Sequence, residues 1–256
     1  MLRKFWTALS CLKTGYAAQK KLYIYCGSDD IAILMIANMQ VINALELEIG
    51  LNQQNWEEQL IDYLRVNHLS TLPISLTFAS SSTRFALLAP QQQWPDENIQ
   101  QFLFAQLFKQ KYPGFDIQQF DFISDQIIFD QPCIIIALPK ALHQSLEKCK
   151  STLHVVDVLP SVLCVWEYLK VLLPTEPILF YEDERCFRIN HDQGYPTGIF
   201  ALPKGFDSTA QNFLSFDVGQ PSLTMYRSFG LNQSSEWHQY DPRHSLNFMR
   251  KESERL

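Results

Sequence analysis

Three strand-like runs followed by a helix and a further strand, with a second strand set later in the chain, limit this sequence to a mixed α/β architecture of two similar halves. The first runs are Leu22–Cys26, Ile31–Ala37 and Val41–Ile49, separated by the turn formers Gly27-Ser28-Asp29-Asp30 and Asn38-Met39-Gln40, which predicts an antiparallel meander. Apolar spacing predicts a helix from Trp56 to about His68, capped by Asn55, and strands at Ile74–Ala79 and Arg84–Leu88. Pro95 opens a helix that reaches Lys111 and is stopped by Pro113-Gly114. The stretch from Phe115 to Asp130 alternates like a strand, and Cys133–Leu138 is a continuous apolar run of the kind a buried central strand needs. Pro139 and Pro160 each open a helix, with a short strand, Leu153–Val156, between them. The second set comprises Ile178–Tyr181, Cys186–Ile189, a turn at Asn190–Gly194, and Thr197–Leu202, and Pro221–Gly230 reads as a terminal helix.

Composition narrows the chemistry. With 46% hydrophobic and 19% charged residues in 256, the chain packs a core and is neither disordered nor fibrous. Its 9 glycines are about half the usual share, and neither GxxxxGK[ST] nor GxGxxG occurs, so the common phosphate-cradling loops are absent. Arg3, Lys4, Lys13, Lys20 and Lys21 put +5 on the first 21 residues, which leaves −11 of the total −6 on the rest. An acidic body repels nucleic acid, so no nucleic-acid partner is expected. Phe5, Leu9, Leu12 and Tyr16 fall on one helical face, with Trp6 beside them. This basic amphipathic segment, residues 1–21, either packs on its own domain or lies at an anionic membrane surface through Arg3, Lys4, Phe5, Trp6, Leu9, Leu12 and Lys13. No apolar run reaches the 18 or so residues of a membrane span, and six cysteines without a CxxC pair fit a reduced, cytoplasmic protein.

Several segments in order resemble the PilM family of type IV pilus assembly proteins and its relatives HofM, MshI and the cytoplasmic domain of GspL. Leu22-Tyr-Ile-Tyr-Cys-Gly-Ser28 is similar to the family's L-x-I-D-I-G-S strand and turn. Trp94-Pro-Asp-Glu-Asn-Ile99 through Tyr112-Pro-Gly-Phe115 resembles its S-D-E-E-L helix and Y-I-P-F-like end. Ile134-Ile-Ile-Ala-Leu-Pro-Lys140 resembles V-V-A-A-P-K, and Val155-Val-Asp-Val-Leu-Pro160 resembles V-D-V-E-P. The resemblance covers roughly residues 20 to 200. It implies an actin-like, duplicated ribonuclease H-like fold over 22–232, with an inserted small subdomain at about 74–138 and a polar tail at 233–256.

The same resemblance locates the nucleotide site of the fold, and the residues there are wrong for it. Tyr25 stands where the family has its first aspartate, and a phenol with a pKa near 10 cannot replace a Mg²⁺ carboxylate at neutral pH. Gly27 and Ser28 remain, but Asp29 and Asp30 follow directly. Where the family reads V-D-I-G, this chain reads Phe180-Tyr181-Glu182-Asp183, followed by Glu184, so Tyr181 takes the aspartate position and Asp183 the glycine position. A like charge about 4 Å from a phosphate costs on the order of 4 kcal/mol at an effective dielectric near 20. The expectation is a pseudo-ATPase with no cofactor and no catalytic or metal residues. Glu236, His238, Asp241 and His244 near the C-terminus lack metal-ligand spacing.

What the resemblance implies about function is a noncatalytic cytoplasmic scaffold, peripheral to the inner membrane, in a type IV pilus, DNA-uptake or type II secretion assembly. Its partner would be the cytoplasmic tail of a PilN-like membrane protein. The competing readings are an active actin-like ATPase and an unrelated α/β enzyme. In the last stretch, Ser245-Leu-Asn-Phe-Met-Arg250 is either a docking tail or a disordered end.

Overall fold

The computed structural model describes residues 20–37, 40–90, 96–124, 132–169, 177–182, 185–192, 195–202, 214–218 and 226–227. Two five-stranded sheets repeat one order. In the first, β3 (Gln40–Leu47), β2 (Ile31–Ala37) and β1 (Lys21–Cys26) form an antiparallel meander. On its other side β1 runs parallel to β4 (Ile74–Phe78), which runs parallel to β8 (Val155–Pro160). In the second, β11 (Tyr195–Leu202), β10 (Arg185–Asp192) and β9 (Ile178–Glu182) form the meander, and β12 (Leu214–Val218) lies parallel to β9. The two-residue strand β13 (Tyr226–Arg227) completes it. The expected terminal helix over 221–230 is therefore corrected: Tyr226 pairs with Ser215 on the sheet. A nonlocal ladder overrides the weak helical pattern of that stretch.

Between β4 and β8 the chain builds a third, antiparallel sheet of β5 (Arg84–Leu88), β7 (Cys133–Pro139) and β6 (Phe120–Ser124), with β7 in the middle. The apolar run that predicted a central strand is that strand. The start that the sequence placed near residue 74 moves to Arg84, because Ile74–Phe78 pairs in register with Leu22–Cys26 of the first sheet. Helix α1 (Trp56–Val66) connects β3 to β4, α2 (Glu97–Lys111) covers the inserted sheet, α3 (Lys140–Thr152) returns the chain to the first sheet, and α4 (Ser161–Leu169) follows β8. Asn55 sits in the left-handed region at φ 57° and makes no side-chain cap at α1, contrary to expectation. The cap that does form is Asp96, whose carboxylate accepts from the Ile99 N–H at α2.

Strand alternation divides the core. Leu22, Ile24 and Cys26 of β1 point to one face, against Leu60 and Leu64 of α1 and Leu142 and Leu146 of α3. Tyr25 points to the other face, into a cluster holding residues from all three sheets and α4: Ala32, Phe85, Ile136, Val162, Trp166, Phe180, Phe187 and Ile199 among them. On β7, Ile134 and Ile136 join this shared cluster, while Cys133, Ile135 and Ala137 meet Phe104 and Phe108 of α2. The insert is thus bonded to the second half as well as to the first. Phe85 meets Phe187 edge-on, with centroids 6.0 Å apart.

Lys111, at the end of α2, fastens the same junction. Its Nζ donates to the carbonyls of Phe85 on β5 and Ile199 on β11, at 2.8 Å each, and lies 4.8 Å from the centre of the Phe200 ring. Burial pulls the Lys111 pKa down to about 8. Because the unfolded lysine titrates near 10.5, the unfolded chain holds more protons between those values, so this group adds stability as pH rises from 8 toward 10.5. Denaturant unfolding at pH 7 and pH 9.5 is expected to show wild type gaining on Lys111→Met over that interval; an unchanged difference would refute the burial.

Candidate functional site

Parallel strands β1, β4 and β8 end at one edge of the first sheet, the place where open α/β sheets bind ligands. Tyr25 is the penultimate residue of β1, Ser80 and Ser81 form the turn just beyond β4, and Ser161 follows β8 as the first residue of α4. Facing them is the last residue of β9 in the second sheet. This is Glu182, whose side chain follows Ile178 and Phe180 on the inward side of the strand and has no exposed surface.

Glu182 fills the crevice. Its carboxylate accepts from the Tyr25 hydroxyl at 3.0 Å, from the Ser80 N–H at 2.5 Å, from the Ser81 N–H at 3.2 Å, and from the Ser161 hydroxyl. The hydroxyls of Ser80 and Ser161 lie 2.8 Å apart, and Ser80 Oγ accepts from the Val162 N–H at 2.8 Å. With the Ser161 proton committed to Glu182, Ser80 donates to Ser161, giving a directional chain of hydroxyls that ends on the carboxylate. Ser80 and Ser161 are fully buried and Tyr25 is nearly so. These four donors, with the Ser80 N–H shared between Glu182 and Ser161 Oγ at 3.2 Å, suit an ionised carboxylate, the type of buried charge that is tolerated when its lone pairs are satisfied.

The turn after β1 is occupied from the other direction. The Gly27 N–H donates to the Asp30 carbonyl at 2.8 Å, and the carbonyls of Gly27 and Ser28 accept from the N–H groups of Leu51 and Asn52. Asn52 Nδ2 also donates to the Asp29 carboxylate at 3.2 Å. Gly50 permits this contact, since a Cβ there would lie 2.5 Å from the N, Cα and C atoms of Asp29. Tyr25 therefore lies in the crevice, and Gly27, Ser28 and Asp29 form a turn clamped by the 50–53 loop. Tyr181 points out of the crevice, toward Leu179, Cys186 and Leu202. Asp183 and the acidic and histidine residues at 236–244 lie outside the described residues, as do Arg3, Lys4, Phe5, Trp6, Leu9, Leu12 and Lys13. Lys21, counted with the basic segment, is instead the first residue of β1, 3.9 Å from Asp157 on β8. Burial lowers the Lys21 pKa and raises that of Asp157, whose carboxylate also accepts from Ser75. Sequence reasoning missed Ser80, Ser161 and the role of Glu182.

A second concavity opens between the insert and the first half. It is lined by Ile123 and Ser124 of β6, Ile134, Ile136 and Leu138 of β7, Leu146 of α3, and Val158 and Leu159 of β8, with His143, Glu147 and Lys150 as its charged or titratable lining. His143 Nδ1 lies 2.7 Å from Asp121 Oδ2 and Nε2 lies 3.8 Å from Glu147 Oε1. Among the described residues no group of three His, Cys, Asp or Glu side chains could hold a metal, and no helix is long and apolar enough to cross a membrane.

No protein-family model and no curated protein matches the chain. Among solved structures, the cytoplasmic domain of EpsL, an inner-membrane component of the type II secretion system of Vibrio cholerae, aligns over 93% of this chain and 96% of its own, at 14% identity and a TM-score of 0.50. A Bacteroides thetaiotaomicron protein with an actin-like ATPase fold and unknown function covers 73% and 70% at 12% identity and 0.49. A PilM–PilN type IV pilus biogenesis complex covers 71% of this chain and 61% of that one, at 11% identity and 0.49. The likeness is one of fold. The likeness to the EpsL cytoplasmic domain and the repeated strand order agree with the duplicated, actin-like fold that the sequence resemblance implied.

The clamp on the first turn makes a prediction. Gly50→Ala meets backbone atoms of Asp29 that cannot swing aside, and about 1–3 kcal/mol of stability is expected to be lost. Gly27→Ala meets chiefly the tip of the Asp30 side chain, which can rotate away, and should cost less. Equal losses in urea unfolding would contradict this arrangement.

Proposed function

We propose that the protein is a noncatalytic scaffold of a type II secretion or type IV pilus assembly that binds the cytoplasmic tail of a PilN-like inner-membrane protein. The observation that carries the reading is Glu182 in the strand-end crevice. A Mg²⁺-nucleotide does not fit the residues present. The Ser80 and Ser81 amides that face the crevice are spent on a carboxylate, and the metal-carboxylate position is a tyrosine hydrogen-bonded to that same carboxylate. A phosphate entering there would meet a fixed negative charge in a dry site. The family-like segments run in order over roughly residues 20 to 200, and the fold likeness to the EpsL cytoplasmic domain extends over nearly the whole of both chains.

The partner's tail goes to the concavity between insert and first half. Apolar walls with a few charged groups among them suit an extended peptide that buries alternate side chains. Two experiments test the reading. Calorimetric titration with Mg·ATP is expected to give no heat of binding, and micromolar binding would overturn the noncatalytic assignment. A synthetic cytoplasmic tail of a PilN-like protein of the same organism is expected to bind wild type in fluorescence anisotropy, and Ile123→Trp, on the concave face beside its cross-strand neighbour Ile136, to weaken it at least about tenfold. Failure of wild type to bind would overturn the partner assignment.

A further inference from the structure

We propose that the end of the first sheet is a carboxylate receptor whose ligand is the chain's own Glu182, and that this seating holds the two halves closed in place of a nucleotide. The inference rests on the noncatalytic reading of the crevice. Four donors come from the first half: the hydroxyls of Tyr25 and Ser161 and the N–H groups of Ser80 and Ser81. The acceptor comes from the second half, at a sequence separation of 157 from Tyr25 and 102 from Ser80. The surroundings are apolar. Tyr25, Val162 and Phe180 belong to the cluster shared by all three sheets, so the charge is recognised in a medium where satisfied hydrogen bonds are strong and unsatisfied ones costly.

The receptor is built by position as well as by residue type. Amides of the Ser80–Ser82 turn point past the end of β4, and Ser161 opens α4 directly after β8, so hydroxyl and amide donors converge from adjacent parallel strands. Ser80 Oγ, bonded to the Val162 N–H and to Ser161, orients the Ser161 hydroxyl toward the carboxylate. Removing the carboxylate leaves four donors aimed at one point, which is a site for a small carboxylate anion from solution.

Chemical rescue tests this. Glu182→Ala removes Cγ, Cδ and both carboxylate oxygens, and acetate supplies the same heavy atoms. Glu182→Ala in the full chain is expected to unfold about 5 °C or more below wild type. Sodium acetate, against sodium chloride at equal ionic strength, is expected to raise its midpoint with the logarithm of acetate concentration, while leaving wild type unmoved. Glu182→Gln fills the space yet turns an NH2 toward the donors, so it is expected to be destabilised and not rescued. If Glu182→Ala does not fold, Tyr25→Phe and Ser161→Ala each remove one donor and are expected to lower the midpoint by a few degrees. Wild-type stability in all these variants, or a destabilised Glu182→Ala blind to acetate, would overturn the receptor. A rise of the wild-type midpoint with Mg·ATP would overturn the noncatalytic reading, so the two claims fail on different ligands.

Discussion

One buried carboxylate decides how the two halves of this molecule meet. Glu182 ends β9 on the same side as Ile178 and Phe180, and strand geometry sends it inward where the next apolar residue would have gone. A charge in that position is tolerable only with its lone pairs answered. The first half answers them from three adjacent strand ends, through Tyr25, Ser80 with Ser81, and Ser161. The crevice at the strand ends is thereby taken up by the fold's own side chain.

The insert then bears on the same junction. Its β7 sends Ile134 and Ile136 into the shared cluster and Ile135 into its own, so one strand serves two cores. Phe85 stacks edge-on against Phe187, and Lys111 bridges carbonyls of β5 and β11, which joins insert and second half without a continuous sheet. Three sheets held around one cluster suit a rigid platform. The concavity between the insert and the first half opens beside that same cluster, since Ile134 and Ile136 line it as well.

Much of the fold was legible because its signals are local. The first meander declares itself by apolar runs broken at Gly27–Asp30 and the central strand of the insert by six consecutive buried residues, while the turn expected at Asn190–Gly194 starts later, because Asn190–Asp192 still pair with β11. That position 25 carries a phenol and not a carboxylate was also legible, since a residue's chemistry needs no coordinates. The network was not, because its members are joined only by folding: Ser80 and Ser161 read as a turn serine and a helix start. One signal was available and is simple. Strand alternation puts Glu182, and not Tyr181, beside Phe180, so the residue that matters was one place along from the position compared with the family. The terminal helix at 221–230 failed for the opposite reason, since a two-residue pairing with β12 is decided by a distant strand.

Amide hydrogen exchange at Ser80, Ser81 and Val162 tests the central claim most directly, because those N–H groups are bound by Glu182 and Ser80 Oγ. The account predicts that they exchange as slowly as the core strands in the protein alone, and that Mg·ATP leaves them unchanged. Fast exchange that nucleotide slows would show an open crevice waiting for a phosphate, and would contradict it.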